Sequence, residues 1–261
     1  MKCLSTLEFP VPQQDQNPSN AGHFRAFNPV SEHRDQRPTA TPGLALHPGA
    51  SAHEIDEAIW PGRRVTKDVR NSFVSRARHW IGNLPDGKPY LPPVGDRGDY
   101  QLSPEVRCDW HDFLALSREG LASGVDGADV LEQALALVRG RPFLGIDPAT
   151  YCWAEMDTQE MISSVVDVAH VLSAIRLGQG DTHSARDAAS RGLLVEPGSE
   201  LLHCDAIRAA AMQGDSEETA RLSGRLRAQI ELVDPESGLT AATVALLAQV
   251  ASRATSAAPT G

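Results

Sequence analysis

Between Arg63 and His79 the chain gathers Arg63, Arg64, Lys67, Arg70, Arg76 and Arg78 against a single acid, Asp68. Arginine forks onto the O6/N7 edge of guanine, and both arginine and lysine neutralise phosphate. Lys67, Asn71, Ser75 and Arg78 recur at spacings of 4, 4 and 3, so they form one stripe if this stretch is helical. A stripe of cations and amides is what a helix laid in the major groove must present. Arg97, at the tip of Gly95-Asp96-Arg97-Gly98, is placed as a turn arginine that enters a minor groove would be. A plainer chemistry competes: a solvated basic helix face that pairs with the acidic C-terminal half, and at Arg97 a turn arginine that is merely solvated. The residues alone leave both open.

The elements that would hold this stripe are legible. Ser51 and Glu54 form an S-x-x-E capping box, which predicts a helix starting near Ala52, running through Ile55 and Ile59 and stopping at Pro61-Gly62. A second helix is expected from Thr66–Lys67 to Gly82, with Val69, Phe73, Ala77 and Trp80 as its apolar face. Pro89 to Pro92 and Asp99 to Leu102 flank the Gly95–Gly98 turn and predict a β-hairpin. Residues 1–42 show no sustained period and are interrupted by Pro10, Pro12, Pro18, Pro29, Pro38 and Pro42. They are expected to be a disordered leader, with the run Leu7 to Val11 as a candidate strand fragment.

From Asp109 onward the pattern turns almost wholly helical. Met161, Val165, Val168, Leu172 and Ile175 are spaced 4, 3, 4 and 3, an amphipathic stripe. Gly178-Gln179-Gly180 should end that helix and Asp181 should cap the next, which carries Ala185, Ala188 and Ala189. Gly214-Asp215 repeats Gly180-Asp181 after 34 residues, and Asp215 with Glu218 forms another capping pair. A 34-residue period with small residues on helix faces predicts helix–turn–helix repeats of the TPR type. Helices near 110–123, 127–139 and 237–253 would flank them. Trp110, Phe113 and Trp153 are expected in the core.

Charge divides the chain in the same place. Residues 108–261 carry 11 basic and 22 acidic side chains, whereas residues 43–107 carry 9 and 8. Phosphate binding needs clustered cations, so any nucleic-acid contact belongs to the earlier segment. Aromatics make up only 5% of residues while alanine is abundant, which favours closely packed helices over sheets. No phosphate-loop, GxGxxG, GxSxG or HExxH signature occurs, so catalysis is not expected and no cofactor is implied. His170, His183 and His203 lie at no metal-ligand spacing with Cys204, and Cys108 with His111 lacks a second pair. Scattered Cys3, Cys108, Cys152 and Cys204 argue against a disulfide scaffold. No run approaches 18 apolar residues and no signal-peptide core follows Met1, so the expected location is the cytoplasm, away from membranes.

The order of motifs carries a resemblance. LALHPGASAHEIDEAIWPGRR, then VRNSFVSRARHWIG and RGDYQL, resembles a winged helix of the response-regulator type, with Trp60-Pro61-Gly62 after the first helix of the pair. VRCDWHDF, LEQALALVRGRPF and YCWAE follow. Together with Asp109-Trp110, Leu137-Val138-Arg139-Gly140 and Tyr151-x-Trp153-Ala154-Glu155, this order resembles the bacterial transcriptional activator domain of SARP-type (Streptomyces antibiotic regulatory protein) regulators. The resemblance spans about 44–253. It departs from the family where a four-stranded sheet should come first, since residues 1–42 do not read as four strands.

The expected fold is therefore mainly α, with a partial winged helix-turn-helix over 43–107 followed by an α-helical TPR-like domain over 108–255. The resemblance implies a transcriptional regulator, an activator by family, that contacts double-stranded DNA through Arg63, Arg64, Lys67, Arg70, Asn71, Ser75, Arg78 and Arg97. Its helical domain would serve self-association or the transcription machinery. The alternative is a helical protein–protein interaction module with a vestigial DNA-binding segment. A third reading takes the chain as part of a longer protein.

Overall fold

The computed structural model describes residues 7–8, 23–24, 49–95, 98–144, 152–233 and 238–257. The chain packs as two units, Met1–Leu114 with Pro142–Met161, and Ala115–Arg141 with Ile162–Gly261. The first division falls inside a helix, a few residues beyond the composition break near 108.

In the first unit, β1 (Leu7–Glu8) lies between β2 (His23–Phe24) and β3 (Arg107–Cys108), antiparallel to both. This corrects the expectation that 1–42 holds no regular element at two places. The alternative for the run from Leu7 holds over its first two residues, Leu7 pairing with Phe24 and Cys108. The rest of 1–42 lies outside the described residues.

Helix α1 (Ala52–Ile59) opens on the complete Ser51/Glu54 capping box. The Glu54 carboxylate accepts from the Ser51 amide at 2.7 Å, and the Ser51 hydroxyl accepts from the Glu54 amide at 3.3 Å. Two donors orphaned at the helix start are thereby satisfied. Helix α2 (Lys67–Ile81) starts on a Thr66 cap and closes at Gly82. Its buried face is Val74, Ala77 and Ile81, not the stripe through Val69, which is half exposed. Two apolar stripes of helical period overlap in this sequence and share Ala77. The β-branched pair at 74 and 81 takes the core, leaving Phe73 and Trp80 half-buried beside it.

These side chains pack with Ile55, Leu84, Tyr90, Leu91, Tyr100 and Leu102 into one cluster. Trp60 closes the inter-helix turn edge-on to Phe73, with ring centroids 5.4 Å apart. Among the described residues the expected hairpin does not form a ladder. Tyr100 instead exchanges both backbone bonds with Ala50, at 2.8 and 2.7 Å, and the Tyr90 amide donates to Gly82. Pro89, Pro92 and Pro93 have no amide hydrogen to give a partner strand, which is why these arms do not pair along their length. Just beyond the second arm, the Ser103 amide donates to Tyr90 O at 2.7 Å.

Helix α3 (Asp109–Ala122) begins here, its first-unit end burying Trp110 stacked on Phe113. Phe143 meets Trp153, within the 3-10 turn Cys152–Ala154, edge-on at 6.5 Å. Among the described residues, Cys108 and Cys204 are buried free thiols.

Among the described residues the regular elements of the second unit are all helices, among them α4 (Ala128–Ala136), α5 (Glu155–Gly178, from Ile162), α6 (Thr182–Val195), α7 (Glu200–Gln213), α8 (Ser216–Val233) and α9 (Ala241–Ala257). The 34-residue period appears directly in the burial. Val168, Ala169, Leu172 and Ser173 of α5 are buried, and so are Leu202, His203, Ala206 and Ile207 of α7. Ala185, Ala188, Ala189 and Gly192 of α6 match Thr219, Leu222, Ser223 and Leu226 of α8. Each repeat turns on a glycine at positive φ, Gly180 at 80° and Gly214 at 78°. The following aspartate caps the next helix, Asp181 accepting from the Ser184 amide and Asp215 from the Glu218 amide.

Helix α5 is long and apolar enough to span a membrane by length and composition. Met161, Val165, Val168, Ala169 and Leu172 are nevertheless buried, and His170 bonds across to α7, which makes it a core helix. Asp205 of α7, 2% exposed, meets His170 Nδ1 at 2.6 Å and accepts from Arg208 at 2.9 Å. The pair ties the two repeats together through a buried carboxylate.

Candidate nucleic-acid interface

Arg63 and Arg64 follow the Pro61-Gly62 turn, and both are exposed. The turn is fixed from within: the Trp60 amide bonds Asp56 O at 2.8 Å and the Arg63 amide bonds Trp60 O at 3.0 Å. Helix α2 then presents Lys67, Asn71 and Ser75 to solvent at successive turns, and Arg76 is exposed as well. All of these side chains are exposed, and among the described residues none of them forms an ion pair. A helix with this face can lay cations on a phosphate backbone while an amide reaches a base edge.

Arg70 and Arg78 are placed differently. Arg70, with its side chain 15% exposed, forms an ion pair and hydrogen bond with Asp56 of α1, itself 16% exposed. Arg78 donates through Nε to Leu91 O at 2.7 Å and through Nη2 to Pro92 O at 3.2 Å. The proline-rich arm supplies no ladder partner for those carbonyls, and the guanidinium fork takes that place. Arg97 lies outside the described residues. The structure thus brings together seven of the eight expected site residues on and just before α2: five exposed, and two turned inward.

Sequence reasoning missed this inward role. The Asp56–Arg70 pair joins two helices and has no local spacing to betray it. Arg78 did carry a signal, since it lies four residues after Val74 and three before Ile81, on the flank of the buried face. Arg76, counted with the cations but left off the stripe, is exposed, and so is Lys67.

The second unit offers a different surface. A groove of about 430 Å³ between α4 and α6 is floored by Leu135, Leu172 and Ala188 and rimmed by Glu132, Asp187 and Arg191. Nearby, Arg176 holds Asp129 and Glu132, each at 2.7 Å. Among the described residues no group of three His, Cys, Asp or Glu side chains could hold a metal ion. Burial pushes the Cys108 thiol up to about 11, so it is held as the unreactive thiol.

No family model matches the chain, and no curated protein does. Among solved structures the chain is similar to Mycobacterium tuberculosis EmbR in complex with a low-affinity phosphopeptide, with a TM-score of 0.57 and 14% identity. The match covers 90% of this chain and 66% of that one, so the chain spans just under two thirds of its length. The likeness is one of fold, a mainly α chain with a TPR-like helical domain.

Proposed function

We propose that the chain is a transcriptional regulator of the SARP type, an activator by the family it resembles, and not an enzyme. Helices α1 and α2 and the arms that follow act as a winged helix on duplex DNA. The helical repeats act on a protein partner, the transcription machinery or a second copy. The observation that carries the reading is the exposed set Arg63, Arg64, Lys67, Asn71, Ser75 and Arg76 on a doubly capped helix pair. It is supported by the order of family motifs along the sequence and by the fold likeness. The acidic balance of the repeats supports giving them a protein partner and not nucleic acid.

The test is binding to random-sequence duplex DNA as salt is varied. Affinity should fall steeply between about 50 and 200 mM salt, as counterion release requires. No affinity at about 50 mM would remove DNA from the function and leave the interaction module in its place.

A further inference from the structure

We propose that the cations of α2 divide into two sets with different work, and that Arg70 and Arg78 are positioning residues which never touch nucleic acid. The proposal rests on the DNA-binding reading and adds how its recognition helix is held. Arg70 locks α2 to α1 through Asp56. Arg78 locks the far end of α2 to the arm at Leu91-Pro92. One clamp sits near each end of the helix, and both lie on the flank of the buried face formed by Val74, Ala77 and Ile81. The angle of a recognition helix decides which side chains reach base edges, and two clamps two turns apart, about 12 Å along the axis, fix that angle. Contact with phosphate is left to Arg63, Arg64, Lys67 and Arg76, whose side chains face water.

Counterion release separates the two roles, because only a cation that neutralises phosphate contributes to the salt slope. Full-length chains are titrated with a random-sequence duplex from about 50 to 200 mM salt. The binding-competent fraction of each variant is fixed by stoichiometric titration, so partial unfolding is not mistaken for altered binding. Lys67→Gln should flatten the slope of log K by about 0.9. Arg78→Gln should weaken binding about tenfold with the slope unchanged. Arg78→Lys should weaken it similarly, since lysine keeps the charge but cannot fork onto two carbonyls.

Asp56→Asn should also weaken binding, although it removes a negative charge. Arg70→Gln placed on that background should add little, because one clamp is already broken. The proposal is overturned if Arg78→Lys binds as the parent does while Arg78→Gln flattens the slope, or if Asp56→Asn tightens binding. Those results would place both arginines on phosphate. A parent chain without DNA affinity is a separate outcome: it sinks the DNA-binding reading itself, and the clamps would then be plain tertiary contacts.

Discussion

Lys67 and Asn71 stand one helical turn apart on the same exposed face, yet their loss should read out differently. Lysine offers charge, whereas asparagine offers a donor and an acceptor matched to the adenine edge. Asn71→Ala should therefore relax sequence preference by about 1–3 kcal/mol at one base pair and leave the salt slope as it was. Competition between related duplexes checks this, and a uniform loss across all sequences would show that Asn71 reads no base. His203 makes a prediction of another kind. It is 1% exposed, and its Nε2–H donates to Pro197 O at 3.0 Å. Burial holds its pKa below the ordinary 6.5. A depressed folded-state value means that the stability carried by this neutral ring is present above about 6.5 and lost as pH falls through the folded value. The melting-temperature gap between the parent and His203→Gln should narrow on acidification below pH 6.5, and a constant gap would refute it. At this scale residue types were legible and their partners were not, since Asp56–Arg70 and His170–Asp205 join residues remote in sequence.

Elements defined by local chemistry were the legible ones. The Ser51/Glu54 box, the Thr66 start, the Gly82 stop and the Gly180-Asp181 and Gly214-Asp215 turns all stand where the sequence puts them, because each satisfies its own backbone within a few residues. The hairpin failed for the complementary reason: strand pairing needs donors on both arms, and the prolines withhold them. Packing between the repeats gives the sharpest element-scale predictions. A Cβ on Gly192 of α6 would lie 2.4 Å from Leu202 Cδ1 and 2.9 Å from Ala169 Cβ. Alanine gains roughly 1 kcal/mol of helix propensity over glycine, but overpacking costs about 1–3 kcal/mol. Ala169 Cβ cannot swing aside, so Gly192→Ala should be net destabilising in chemical denaturation. Ala189, fully buried on the same helix, should lose about 1–3 kcal/mol on substitution by leucine. A neutral result at either position would mean that α6 stands further from its neighbours than described.

Across the whole molecule, the mainly helical class and the 34-residue repeat followed from composition and period, while the opening sheet did not. Two-residue strands leave no periodic signal, and the partner of Leu7 lies at Cys108. The acidic balance of the repeats, 11 basic against 22 acidic over 108–261, makes a whole-molecule prediction. A fragment of residues 108–261 should show no affinity for duplex DNA at about 50 mM salt, since it lacks clustered cations. Appreciable binding would move the interface out of α1 and α2.

The β1–β3 pairing has a consequence for the order in which the chain assembles. Leu7 can meet Phe24 early, but its other edge must wait for a strand made roughly a hundred residues later, and the entropy of closing a loop rises with its length. Helices α1 and α2 need only neighbours within a few tens of residues, so they can form before β1 has paired with β3. During synthesis the amino-terminal strand emerges first but is fastened late, after Cys108 has left the ribosome. Refolding should show helical signal ahead of protection at the Leu7 and Cys108 amides, with strand closure as the slow, high-contact-order step.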